Sequence, residues 1–100
     1  MAKFLVTYHG AGMPSDPAAA EQAKAAFGAW VAQAGSAIVD PGAPLHPSAQ
    51  VSNGAPAPGV EIGGYSIIQA TDAAAATEIL KAHPFVGRGG TLQLHEVMGV

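Results

Sequence analysis

The sequence predicts an α+β domain that runs strand, helix, strand, long loop, strand, helix, strand. Three observations predict it. Residues 3–9 and 91–97 alternate in the period of two that half-buried strands show. Residues 17–33 and 73–83 follow aspartates suited to capping and carry apolar side chains at helical spacing. Each of these runs is then closed by a helix-stopping residue, Gly35 for the first and Pro84 for the second.

The elements follow in order. In residues 3–9, Phe4, Val6 and Tyr8 alternate with Leu5, Thr7 and His9, and the β-branched and aromatic content suits a strand. Residues 10–14 are glycine-rich and read as a loop. Asp16 offers its carboxylate to the first free N–H groups of a helix, and Pro17 fits the first helical position, where no N–H is needed. The apolar face of that helix is Ala20, Ala23, Phe27, Trp30, Val31 and Ala34. Ala37, Ile38 and Val39 form a short strand closed by Asp40-Pro41-Gly42. Prolines 41, 44, 47, 56 and 58 then argue against a paired central strand, so 41–59 reads as a loop, too long to be passive in so small a domain. Within it, Val51-Ser52-Asn53-Gly54 suggests a short hairpin turn, because Asn-Gly favours positive φ. Residues 65–69 form the third strand. Thr71 and Asp72 start the second helix, whose apolar face is Ala76, Ile79, Leu80 and His83. Gly89-Gly90 leads into the last strand, where Leu92 and Leu94 alternate with Gln93 and His95.

This order is the split βαβ, or ferredoxin-like, arrangement: four antiparallel strands with both helices on one face, in a single domain over 1–100. The other face of the sheet is left bare while carrying bulky groups, and the simplest cover is a second copy. Only 11% of residues are charged, few for decorating a monomer surface, which also favours a homodimer.

Charge excludes several functions. Net charge is −3, and the four basic residues, Lys3, Lys24, Lys81 and Arg88, are scattered. No basic stripe exists to neutralise phosphates, so neither a nucleic acid nor a membrane surface is an expected partner. Cysteine is absent, which removes disulfides, thiolate nucleophiles and cysteine zinc sites. The start of the chain lacks a long apolar run with a cleavage site, and a cytoplasmic location is the expectation.

With the elements in this order, the chain resembles the YCII-related (DGPF-containing) family of dimeric α/β-barrel proteins. The resemblance is carried by Phe4-Leu5-Val6-Thr7-Tyr8-His9-Gly10, by Trp30 and Gly35 followed by Ala37-Ile38-Val39-Asp40-Pro41-Gly42, by Gly64-Tyr65-Ser66-Ile67-Ile68, and by His83-Pro84-Phe85 with Gly89-Gly90. It implies a ferredoxin-like unit dimerising sheet to sheet, and a small-molecule acid/base enzyme, lyase-like in at least one dehydrochlorinating branch. The chain departs from the family pattern in its usual pair of a first-helix histidine and an Asp-Pro-aromatic element. Here histidine stands in the aspartate's place at His83, Lys24 or a neighbour takes the helix position, and the DGPF tetrapeptide is missing. That departure favours the alternative, a non-enzymatic ligand-binding or dimerisation module.

The residues suited to proton transfer are histidines, which titrate near neutrality. His83 ends a helix beside the sheet and reads as a general acid or base, or else as a helix C-terminal cap. His9 ends a strand before a glycine loop and reads as a second proton-transfer group, or as a half-exposed strand end. Asp40 suits an orienting carboxylate, or a turn former. Arg88 suits a holder of a substrate carboxylate, or a surface charge. Tyr8 and Ser66 join Arg88 as expected substrate contacts. His46 and His95 read as bystanders. No metal or other cofactor is expected: the histidines lack HxH or HxxxH spacing, and Gly10-Ala11-Gly12 is not a dinucleotide fingerprint.

Overall fold

The computed structural model describes residues 1–10 and 14–99, so the expected loop over 10–14 lies largely outside the described residues. The chain is α+β. Strands β1 (Ala2–His9), β2 (Ile38–Pro44), β3 (Gly64–Ala70) and β4 (Thr91–Glu96) form one antiparallel sheet in the order β2-β3-β1-β4. Helices α1 (Pro17–Ala34), α2 (Ala73–Lys81) and the short α3 (Pro84–Gly87) complete it. This order is compatible with a ferredoxin-like arrangement.

Register shows which face the helices cover. Phe4 pairs with Ile68, Val6 with Ser66 and Leu94, and Tyr8 with Gly64 and Leu92. Phe4, Val6 and Ile68 are buried with Trp30 of α1 and Ala76 and Leu80 of α2. Each large side chain so buried contributes roughly 1.5–3 kcal/mol. The other face carries Leu5, Thr7, His9, Tyr65, Ile67, Gln93 and His95, with no helix over it among the described residues. The shortest molecular dimension, 19 Å, fits one helix layer on one sheet.

Capping follows the sequence. The Asp16 carboxylate accepts from the Ala19 N–H at 3.0 Å, and Asp72 accepts from the Ala75 N–H at 2.8 Å. Gly35 ends α1 at φ 57°, its N–H donating to the Val31 carbonyl. In the last strand Leu92 and Leu94 turn inward while Gln93 and His95 are exposed, as their alternation predicts.

Three local expectations are corrected. Ala37 lies in a 3-10 turn over Gly35–Ala37, not in a strand. Strand β2 does not stop at Asp40 but continues to Pro44, so the loop begins after it. The prolines are tolerated because β2 is the outer strand, where one side of the backbone needs no partner. The pairing survives through register shifts between Ile38 and Ala43, with Gly42 at φ 79°. A side chain at Gly42 would overlap the Tyr65 carbonyl, so glycine is required there on two counts. Finally, α2 ends at Lys81, and the chain restarts a helix at Pro84.

The segment between β2 and β3 extends from the body. Its root is tied by the Leu45 N–H to the Gly63 carbonyl and by the Gly63 N–H to the Tyr8 carbonyl. Gly54 has φ 90° and Ser52 Oγ donates to its carbonyl, so the Asn-Gly bend forms, but without hairpin strands around it. Val51 and Val60 are 99% and 74% exposed.

Candidate functional site

A cleft of about 200 Å³ opens between the end of β1, the β2 bulge and α3. Phe27, Phe85, Ala43 and Pro44 make its wall apolar, and Tyr8, His83 and Arg88 supply its polar side chains. Sequence places each of them. Tyr8 is four residues along β1 from the buried Phe4 and so shares its face. Ser66 sits on the neighbouring strand on that same face and is fully buried. His83 falls in the break between α2 and α3, and Pro84 forces the extended backbone it adopts (φ −68°, ψ 131°).

His83 is therefore not a C-terminal cap of α2, as one reading had it, but the N-cap of α3: its Nδ1 accepts from the Phe85 N–H at 3.0 Å. Its Nε2 lies 2.7 Å from the Tyr8 hydroxyl, which lies 2.7 Å from Ser66 Oγ. Ser66 Oγ donates to the Pro41 carbonyl at 2.8 Å. The imidazole ring is packed at 4.3 Å from the Trp30 ring, 5.1 Å from Tyr8 and 5.6 Å from Phe27, centroid to centroid. Trp30 is itself held by its indole N–H, which donates to the Ile79 carbonyl at 3.1 Å.

The electrostatics follow from this packing. Burial, and secondarily the Arg88 charge, push the His83 pKa down from 6.5 to about 4. The Phe85 N–H works in the same direction, since it points a donor at the nitrogen that would take the second proton. His83 is thus neutral at physiological pH. Burial raises the Tyr8 pKa, with the Ser66 hydrogen bond opposing in part, so Tyr8 remains a phenol.

Arg88 is exposed at the rim, its guanidinium carbon 5.5 Å from the Phe85 ring centroid. No carboxylate pairs with it among the described residues. Phe85 is seated by Gly90, where any side chain would overlap its ring.

His9 and Asp40 do not join His83. Neighbouring strand residues point to opposite faces, so the turn of Tyr8 toward the helices sends His9 away from them. There His9 Nδ1 donates to the Glu61 carbonyl at 2.9 Å, and Nε2 is 2.8 Å from Thr7 Oγ1. It pins the root of the extended segment. Asp40 orients no histidine. Its carboxylate accepts from the Gly42 N–H at 2.8 Å and from the Tyr65 hydroxyl at 3.2 Å, which shapes the bulge. That bond and the nearby negative charge raise the Tyr65 pKa.

Trp30 and Phe27 were expected only as core. They also frame the His83 ring, and their i, i+3 spacing on one helix face is the signal that could have pointed there. Among the described residues no cluster of three His, Cys, Asp or Glu side chains is placed to hold a metal ion. No helix among them is long and apolar enough to cross a membrane. Compared with protein-family models, curated proteins and solved structures, the chain matched none.

Proposed function

We propose that the chain is a homodimeric small-molecule-binding protein, of the YCII-related kind its motifs resemble, whose cleft holds a single-ring-sized apolar molecule bearing an anionic group. One observation carries this reading. Both nitrogens of His83 are engaged, one by a backbone N–H and one by Tyr8, and the chain of hydroxyls ends on a carbonyl. Such an arrangement holds its members in place and leaves His83 no free lone pair to act as a base. The apolar wall and the unpaired Arg88 at the rim then suit a small carboxylate. The bare sheet face and the extended segment with exposed valines support a sheet-to-sheet dimer, the dimeric α/β barrel.

A lyase-like acid/base enzyme is the second reading. It is favoured by Tyr8, which lines the cleft and has a histidine nitrogen beside its hydroxyl. In that reading Tyr8 is the acid and His83 the residue that steadies it.

Benzoate is a suitable probe. Its titration into the intact protein, followed by Trp30 fluorescence and amide chemical shifts, should show saturable binding localised to Phe85, Arg88 and the β2 bulge, weakened by Arg88→Gln. Absence of saturable shifts at these positions up to millimolar concentrations refutes the binding site.

A further inference from the structure

The hydrogen bonds around Tyr8 run in one direction only, and two independent ends fix that direction. At one end, the Pro41 carbonyl can only accept, so the single hydroxyl hydrogen of Ser66 is committed to it. Ser66 must then accept from Tyr8, which commits the phenolic hydrogen of Tyr8 as well. The Tyr8 oxygen is left as an acceptor toward His83, so His83 Nε2 must carry a hydrogen. At the other end, the Phe85 N–H donates to His83 Nδ1, which places the imidazole hydrogen on Nε2 without reference to Tyr8. The two deductions agree: His83 donates to Tyr8, Tyr8 to Ser66, and Ser66 to Pro41.

This direction has a consequence for whatever enters the cleft. Every side-chain hydrogen at its buried polar end is committed within the protein. What remains there is acceptor capacity, the lone pair of the Tyr8 oxygen that His83 does not use. The donor that remains is the Arg88 guanidinium, out at the exposed rim. A carboxylate or carbonyl oxygen turned inward would meet lone pairs and no free side-chain donor among the described residues, which is costly away from water. A hydroxyl or amine turned inward would be satisfied.

From this we infer that the cleft selects a small apolar molecule with a hydrogen-bond donor at one end and an anionic group at the other, such as a hydroxy-substituted aromatic carboxylate, with its hydroxyl on the Tyr8 oxygen and its carboxylate on Arg88. His83 acts as a positioning residue, holding Tyr8 as an acceptor. The inference rests on the binding reading above and adds the chemistry and orientation of the ligand.

Three probes separate the possibilities: 4-hydroxybenzoate, benzoate and 4-methoxybenzoate, each titrated into the native protein and read by amide chemical shifts. One well-made hydrogen bond corresponds to about a 3- to 10-fold gain in affinity, so 4-hydroxybenzoate should bind tighter than benzoate by about that factor. The methoxy compound, which has the oxygen but not the hydrogen, should lose the advantage. Tyr8→Phe should bring the hydroxybenzoate-to-benzoate ratio to about one, and Arg88→Gln should weaken both. Should Tyr8→Phe fail to fold, imidazole nitrogen NMR of the native protein serves instead. Nε2 must remain protonated and Nδ1 unprotonated as 4-hydroxybenzoate saturates the site, and a switch of tautomer overturns the proposed direction. Equal binding of benzoate and 4-hydroxybenzoate, or equal binding of the methoxy compound, overturns the donor requirement while the binding reading stands. Binding by none of the three removes both.

Discussion

Acidification should destabilise the fold through His83, and the size of the effect can be worked out. His83 is 3% exposed and its pKa is held down at about 4, by burial first and by the Arg88 charge second. In the unfolded chain a histidine titrates near 6.5. Above that pH both states hold a neutral ring, and His83 adds no pH dependence. Between 6.5 and 4 the unfolded chain takes up the proton and the folded one does not, so stability falls with pH. Below 4 both states are protonated and the loss levels off. At 1.36 kcal/mol per pH unit the whole loss has a ceiling of roughly 3 kcal/mol, about 2 of it already gone at pH 5. Urea unfolding at pH 7 and pH 5 measures it, with Trp30 fluorescence as the signal. The control is His83→Gln, whose amide can still donate to Tyr8 but does not titrate. That variant should be less stable at pH 7, because the Phe85 N–H loses its acceptor, yet nearly flat between the two pH values. The window stops at pH 5 because ordinary carboxylates titrate below it. The other histidines are present in both proteins and cancel in the comparison. An equal pH dependence in the native protein and the variant would refute the account of a buried neutral ring.

Three further substitutions test the packing. Gly28→Ala in α1 adds a methyl that meets nothing within 4 Å, so thermal unfolding should show a gain of about 0.5–1 kcal/mol. Gly42→Ala should cost about 1–3 kcal/mol from its positive φ alone, more from the overlap with the Tyr65 carbonyl, and should shift the Ser66 amide as the Pro41 carbonyl moves. Trp30→Phe keeps an aromatic ring near His83 but leaves the Ile79 carbonyl without its indole donor. A loss of about 1 kcal/mol or somewhat more is expected, read by circular dichroism because the fluorophore is gone.

The strands and helices were legible where one residue pattern answers to one physical demand. Alternation along β1 and β4 and the capping aspartates before α1 and α2 are of this kind. The continuation of β2 was not legible, because Pro41 and Pro44 punctuate a central strand but not an outer one, and position within a sheet is a property of the whole fold. The break at Pro84 was visible, but a proline ends one helix and begins another by the same missing N–H, and the sequence alone left α3 unseen. Tyr8, Ser66, His83 and Arg88 could be picked out by their places at strand and helix ends. Their wiring could not, because it depends on the β1–β3 register and on a bulge that brings the Pro41 carbonyl within reach of Ser66. The grouping of His9 with His83 failed for a reason already present in the alternation of β1: a strand that turns Tyr8 toward the helices turns its neighbour away.

The two margins of the sheet differ in what they permit. Along β2, Pro41 and Pro44 have no N–H to offer, and the bulge around Gly42 bends the backbone out of line, so that margin is a poor template for another chain. Along β4, over Thr91–Glu96, the outward backbone groups face no strand among the described residues. A molecule with two receptive margins propagates when it pairs and grows into ribbons. A molecule with one receptive margin uses it up in its first pairing and leaves both outer borders blunt. Should two copies meet strand to strand, growth halts at a closed pair, and the prolines that hid β2 in the sequence are what halt it.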